Sequence, residues 1–147
     1  MSTVKQLSIF LENKSGRLYE VMEILAKANV GIIAATVSDT SEFGILRLIT
    51  SNNDKAKEVL DKNNVASNLS DVIIFSCGDK VGGFYEKIKK LSDSHISIEY
   101  MYCFSFNENS YVIIKVPNNL KAIDAMKKNG IESCSLEELL KHMVKFD

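Results

Sequence analysis

Shifting the sequence against itself by 66 positions, without gaps, lays Gly16 on Gly82. The same shift pairs Lys14 with Lys80, Tyr19 with Tyr85, Glu20 with Glu86, Leu25 with Leu91 and Ile32 with Ile98. It also pairs Asn52-Asn53 with Asn118-Asn119, Lys55-Ala56 with Lys121-Ala122, and Lys62-Asn63 with Lys128-Asn129. Apolar character is shared more widely than identity. An internal repeat limits what a chain can fold into, because each copy must build the same unit. Two copies at so long a period predict paired domains rather than a solenoid, one over residues 1–70 and one over 71–147.

Each copy reads in the same order. Leu7, Ile9 and Leu11 alternate with Ser8 and Phe10, the period of a half-buried strand. Leu18, Val21, Met22 and Leu25 recur at helical spacing on one apolar face. Val30–Val37 is a strand rich in β-branched residues, and Gly44–Thr50 is a third strand. Ala56, Val59 and Leu60 mark a second helix, with Asn53 or Asp54 as its cap. Asn64, and Gly130 in the second copy, suit the left-handed turn that ends a helix. A short strand follows at Val65–Ser67. The second copy offers strands at Val72–Cys77, Ile96–Phe106, Tyr111–Val116 and Ile131–Cys134, and helices at Gly82–Ser92 and Leu120–Lys128. The fold class is α+β, two ferredoxin-like βαββαβ units in tandem. A tail helix follows, with Ser135 and Glu138 as a capping box and Leu136, Leu139, Leu140 and Met143 along one side.

Both helices of such a unit cover one face of its sheet. The other face should be polar if it meets water. Phe10, Ile45, Ile49, Ile74, Tyr111 and Ile113 are expected there, so that face should be covered by the tail helix, the other copy or another chain. A homodimer is the expected assembly. A unit of this size alone has a marginal core, which pairing would relieve.

Composition narrows the function. The net charge of -1 leaves no basic footprint for nucleic acid. No apolar run approaches the roughly 20 residues of a membrane span, and no secretory signal opens the chain, so a cytoplasmic protein is expected. Cys77, Cys103 and Cys134 are odd in number and far apart, as in a reducing compartment. All three read as fillers of apolar strands. His95 reads as a turn residue, and His142 has no partner at a metal-binding spacing. No nucleophile-and-base or acid-and-base set is visible, so no enzyme activity, cofactor or metal is expected. Tyr100, Tyr102, Phe104 and Phe106 alternate along one strand and read as a packed face rather than an RNA platform.

Two stretches stand apart: "ENKSGRL" at 12–18 and "GDKVGGF" at 78–84. In each copy the first strand ends and a helix begins at a glycine. A helix N-terminus carries unpaired N–H groups and a partial positive charge. Glycine lets a ligand approach the backbone. Together they suit a small anion such as a carboxylate. Asn13 and Asp79 could cap the helices or accept a hydrogen bond from a ligand amine. The plainer alternative is a turn with its cap. Gly82-Gly83 lacks the spacing and Lys-Ser/Thr of a phosphate loop.

The βαββαβ pattern, with Asn/Asp-Lys-x-Gly-x-Leu/Phe after its first strand, resembles the ACT domain, a regulatory module that binds amino acids in many biosynthetic enzymes. The stretch "ISIEYMYCF" at 96–104 is similar to the second strand of stand-alone two-ACT bacterial proteins, some labelled acetolactate-synthase-like. The resemblance spans nearly the whole chain. It implies a ligand at the junction of paired ACT units, with loop N–H groups on its carboxylate and second-strand backbone near its amine. The implied loop positions are Asn13, Ser15, Gly16, Arg17 and Leu18, and Asp79, Val81, Gly82, Gly83 and Phe84. The implied second-strand positions are Ile32 and Ile33, and Ile98, Glu99 and Tyr100. The family often places proline before the glycine; Ser15 and Val81 stand there instead. The expected function is a non-catalytic amino-acid sensor, with a branched-chain or aromatic ligand favoured by Ile32, Ile98, Leu18 and Phe84. The alternative is a regulatory subunit of a separate biosynthetic enzyme such as acetohydroxyacid synthase.

Overall fold

The computed structural model describes residues 3–12, 15–39 and 43–142. The chain folds as two compact units, one built on Lys5–Ser70 and the other, among the described residues, on 71–142. The first holds β1 (Val4–Glu12), α1 (Arg17–Lys27), β2 (Ile32–Asp39), β3 (Phe43–Thr50), α2 (Asn53–Lys62) and the start of β4 (Ser67–Gly78). β1 runs antiparallel to β3, with Leu7 opposite Leu48 and Glu12 opposite Phe43. β2 pairs the other side of β3, and the chain entering β4 flanks β1, where the Phe10 N–H donates to the Ala66 carbonyl at 3.2 Å. Period-2 alternation sends Leu7, Ile9 and Leu11 to the helix side, where they form one core with Val21, Leu25, Ala56 and Leu60.

The second unit holds the rest of β4, then α3 (Gly83–Asp93), β5 (Tyr100–Phe106), β6 (Asn109–Lys115), α4 (Asn119–Lys128) and α5 (Leu136–His142). β4 and β5 flank β6, both antiparallel to it. Phe75, Leu91, Val112, Met126 and Ile131 anchor its core. The two βαββαβ units are therefore the ferredoxin-like pair that the repeat predicts.

Several boundaries differ from expectation. Val65–Ser67 and Val72–Cys77 are not separate strands: one strand runs Ser67–Gly78, because no glycine or proline interrupts it. β5 begins at Tyr100, so Ile96–Glu99 lies outside it. The last strand of the second copy shrinks to one bridge, Ser133 with Phe75, beside a Cys134 N–H to Ile74 carbonyl bond of 2.7 Å.

The helix caps also shift by one. Asn52, extended at φ -154°, accepts from the Lys55 N–H at 3.0 Å and caps α2. Asn53 is engaged elsewhere: it accepts from Thr50 Oγ1 at 2.6 Å and donates to the Lys5 carbonyl at 3.0 Å. Asn118 caps α4 as Asn52 caps α2. Asn64 and Gly130 take the expected left-handed conformation, and so does His95 in its turn. Ser135 accepts from the Glu138 N–H as its half of the capping box, while Met143 lies outside the described residues.

On the face turned from the helices, Ile49, Ile74 and Ile113 are fully buried. Phe10 is exposed, and Ile45 and Tyr111 are half-buried.

Candidate functional site

The turns after β1 and β4 share one geometry. Gly16 stands at φ 83° and Gly82 at φ 91°, each as the N-cap of its helix and each without a side-chain cap bond. That left-handed conformation costs an L side chain and costs glycine nothing. Each glycine carbonyl accepts the first helical bond, from Glu20 and Glu86, both at 3.0 Å. Asp79 therefore does not cap α3; Asn13 lies outside the described residues. Ser15, Leu18, Val81 and Phe84 are exposed around the two turns.

The residue after the glycine separates the copies. A Cβ on Gly83 would lie 2.4 Å from the Cys77 carbonyl oxygen, so the second turn sits hard against its strand. The equivalent residue in the first unit is Arg17, whose long side chain is 18% exposed. Its Nη1 donates to Glu20 Oε2 at 3.0 Å. Its Nε is buried and finds no partner among the described residues.

Beside Arg17 lies a cleft of about 520 Å³, lined also by Phe10, Leu11, Glu12, Phe43, Asn64 and Ala66. Every lining residue belongs to the first unit. Phe10 and Phe43 meet edge to face, ring centroids 6.2 Å apart at 68°. Register explains the pairing: Glu12 faces Phe43 and Phe10 faces Ile45, all on the side of the sheet turned from α1 and α2. The cleft thus joins an aromatic wall, a guanidinium and a carboxylate.

The second turn borders a smaller cleft of about 270 Å³, lined by Cys77, Asp79, Lys80, Val81, Gly83, Glu86 and Lys87 among others. Lys87 Nζ donates to the Ser76 carbonyl. Burial pushes the Cys77 thiol above its ordinary value, against a smaller opposing pull from Lys87. The buried Cys77 fills the core as expected. Cys103, expected as core, is exposed, and Cys134 is half-buried.

The second-strand positions do not meet the turns within either unit. β1 and β2 both run antiparallel to β3, so the end of β1 and the start of β2 lie at opposite ends of the sheet. Glu12 pairs with Phe43 at one end of β3 and Ile32 with Thr50 at the other. Ile33 is the extra residue of a bulge between Ile32 and Ala34. In the second unit Ile98 packs on the core, Glu99 donates its N–H to the Lys115 carbonyl at 2.9 Å, and Tyr100 opens β5 opposite Lys115.

Sequence reasoning named Arg17 only as a turn position and Phe10 only as a second-face residue. It missed Glu12, Phe43 and Asn64. The available signal lay where the copies differ: at the repeat offset Phe10, Glu12, Arg17, Phe43 and Asn64 face Ser76, Gly78, Gly83, Asn109 and Gly130.

Two βαββαβ units, each opening its first helix on a left-handed glycine, define a tandem ferredoxin-like protein. Comparison supplies the family: the description of the ACT domain pair matches residues 2–143, and the chain belongs to that family of regulatory, ligand-binding domains. Among solved structures it is similar to protein BT0572 from Bacteroides thetaiotaomicron, with 42% identity, a TM-score of 0.88, and coverage of 95% of this chain and 96% of that one. The ligand-free regulatory subunit of aspartate kinase from Thermus thermophilus shares the fold at 14% identity and a TM-score of 0.62, over 84% of this chain and 90% of that one. The regulatory subunit from Thermus flavus does so at 14% identity and a TM-score of 0.57, again over 84% and 90%. No curated protein matched. Among the described residues no group of His, Cys, Asp and Glu is placed to hold a metal. No helix among the described residues is long and apolar enough to cross a membrane.

Proposed function

We propose that this protein is a non-catalytic regulatory protein of the cytoplasm, a homodimer that binds an amino acid at its glycine turns. The observation that carries the reading is the repeated turn: Gly16 and Gly82 both open a helix in the left-handed conformation, and neither N-cap residue has a side chain to bond the first-turn donors. Such donors suit a carboxylate. A metabolite sensor would bind between micromolar and millimolar, roughly -8 to -4 kcal/mol. Ligand at a hundredfold excess over Kd then stabilises the fold by about 2.7 kcal/mol. The melting temperature rises by roughly 5–10 °C. Screening the twenty amino acids by thermal shift tests this. No shift at about 10 mM, a hundredfold above a Kd of about 0.1 mM, returns the turns to a structural role. Turnover of an amino acid or 2-oxo acid by the pure chain overturns the non-catalytic reading.

A second reading, a regulatory subunit of a separate biosynthetic enzyme, draws on exposed apolar side chains at matching places. Leu18 and Tyr19 stand out from α1, as Phe84 and Tyr85 do from α3. A stoichiometric enzyme recovered with the tagged chain would favour it.

A further inference from the structure

Asn129 is the one asparagine of the chain that a glycine follows. The pair carries a chemistry of its own. The backbone nitrogen after an asparagine can attack the side-chain amide carbon and close a five-membered succinimide. Here the new bond would join the Gly130 nitrogen to Asn129 Cγ. The bond to Nδ2 breaks, and ammonia leaves with the proton that the Gly130 nitrogen gives up. Water then opens the ring at either carbonyl. One opening returns aspartate, and the other routes the main chain through the side chain as isoaspartate. The sum is asparagine plus water to an acidic residue plus ammonia. Glycine favours the attack because it has no Cβ to crowd its nitrogen. In the first copy Asn64 follows the equivalent Asn63, so a side chain screens the same nitrogen.

The fold keeps the two reacting groups apart. Asn129 closes α4 at φ -103° and ψ 9°, which turns the Gly130 nitrogen away from the side chain. The Gly130 N–H donates to the Lys127 carbonyl at 3.2 Å. Asn129 Nδ2 donates to the Ala125 carbonyl at 2.8 Å and to Ser94 Oγ at 3.2 Å. Ring closure must break these bonds and rotate the backbone. Yet the segment that follows joins β4 by a single bridge, so little sheet holds this end of α4 shut.

We propose that Asn129 is a latent modification site, deamidated by water when the last turn of α4 opens. The product then works against reclosure. A carboxylate in place of the amide cannot donate to the Ala125 carbonyl, and it sets a negative charge at the negative end of the helix. Isoaspartate also lengthens the main chain inside the turn that Gly130 closes on Lys127.

The test follows the full chain at mildly alkaline pH, folded in buffer and unfolded in guanidinium chloride. Peptide mass spectrometry locates the conversion, and isoaspartyl methyltransferase labelling counts the isomer. In denaturant Asn129 should convert before any other asparagine. In buffer it should convert at least tenfold more slowly, because only the open fraction reacts. Ser94→Ala removes one partner of Nδ2. It should speed the folded chain about fivefold, the worth of a neutral hydrogen bond, and leave the rate in denaturant unchanged. Asn129→Asp should melt below the wild type. Earlier conversion of another asparagine in denaturant overturns the site. Comparable rates in buffer and denaturant overturn the gating, and an unchanged folded rate in Ser94→Ala overturns the α4 turn as the gate. Should Ser94→Ala fold poorly, the two wild-type rates still decide whether the fold gates the reaction. An Asn129→Asp chain that melts with the wild type overturns the opposition to reclosure.

Discussion

Ser76 Oγ donates to Asn109 Oδ1 at 2.7 Å, at the two positions where the first unit sets Phe10 against Phe43. One copy of the repeat closes this place with a hydrogen bond; the other leaves two rings in contact with solvent. The polar pair should be a local strut. Ser76→Ala is expected to lower the unfolding free energy by about 1 kcal/mol, measured by urea titration. In a double-mutant cycle with Asn109→Ala the two losses should not add.

The glycines should respond unequally to alanine. A methyl group on Gly16 meets nothing within 4 Å among the described residues but must adopt φ 83°, a cost of about 1–2 kcal/mol. At Gly83 the backbone angle is ordinary, and the clash with the Cys77 carbonyl sets the cost at about 3 kcal/mol, the upper end of overpacking. Gly83→Ala should therefore melt lower than Gly16→Ala.

Thr50 and Val116 hold equivalent places and predict opposite substitutions. Thr50 Oγ1 donates to Asn53, whereas Asn119, the equivalent of Asn53, has a buried Oδ1 with no partner among the described residues, and Val116 stands where Thr50 does. Val116→Thr should supply that donor and stabilise the chain by about 1 kcal/mol. Thr50→Val should cost about as much. Calorimetric melting of both variants checks the pair, and a destabilised Val116→Thr would show that the hydroxyl cannot reach.

The thiols carry a pH dependence. Burial lifts Cys77 and Cys134 above the ordinary thiol value of 9.0, with the Glu138 carboxylate adding to the rise at Cys134. A raised folded value means that the folded chain keeps protons the unfolded chain releases. The contribution is whole below the unfolded thiol value and is lost as pH rises through the folded ones. Urea midpoints should fall from pH 8 to pH 10, and Cys134→Ala should flatten that fall. Exposed Cys103 should be labelled first by a disulfide reagent at neutral pH.

The repeat made the element order legible, because matching residues recur in both copies and one reading had to serve twice. Period-2 and helical spacing placed Leu7, Ile9, Leu11, Val21 and Leu25 in the core where they are found. Left-handed Asn64 and Gly130 were legible from residue type alone. Boundaries set by hydrogen bonding were not. Asn52 and Asn53 are both good caps, and only the pull of Thr50 and the Lys5 carbonyl on Asn53 decides between them. The cleft was hidden for another reason. Phe10, Arg17, Phe43 and Asn64 come from four separate elements or turns, and no spacing along the chain records that β1 and β3 pair in that register.

The approach of Gly83 to Cys77 has a consequence for how the two copies can diverge. Every single-codon replacement of Gly83 adds a Cβ at a place 2.4 Å from the Cys77 carbonyl oxygen. An arginine there, even a beneficial one, would first require the turn to move off its strand. The second copy therefore cannot acquire the first copy's guanidinium by small tolerated steps, and the asymmetry of the pair is guarded by sterics as if by a ratchet.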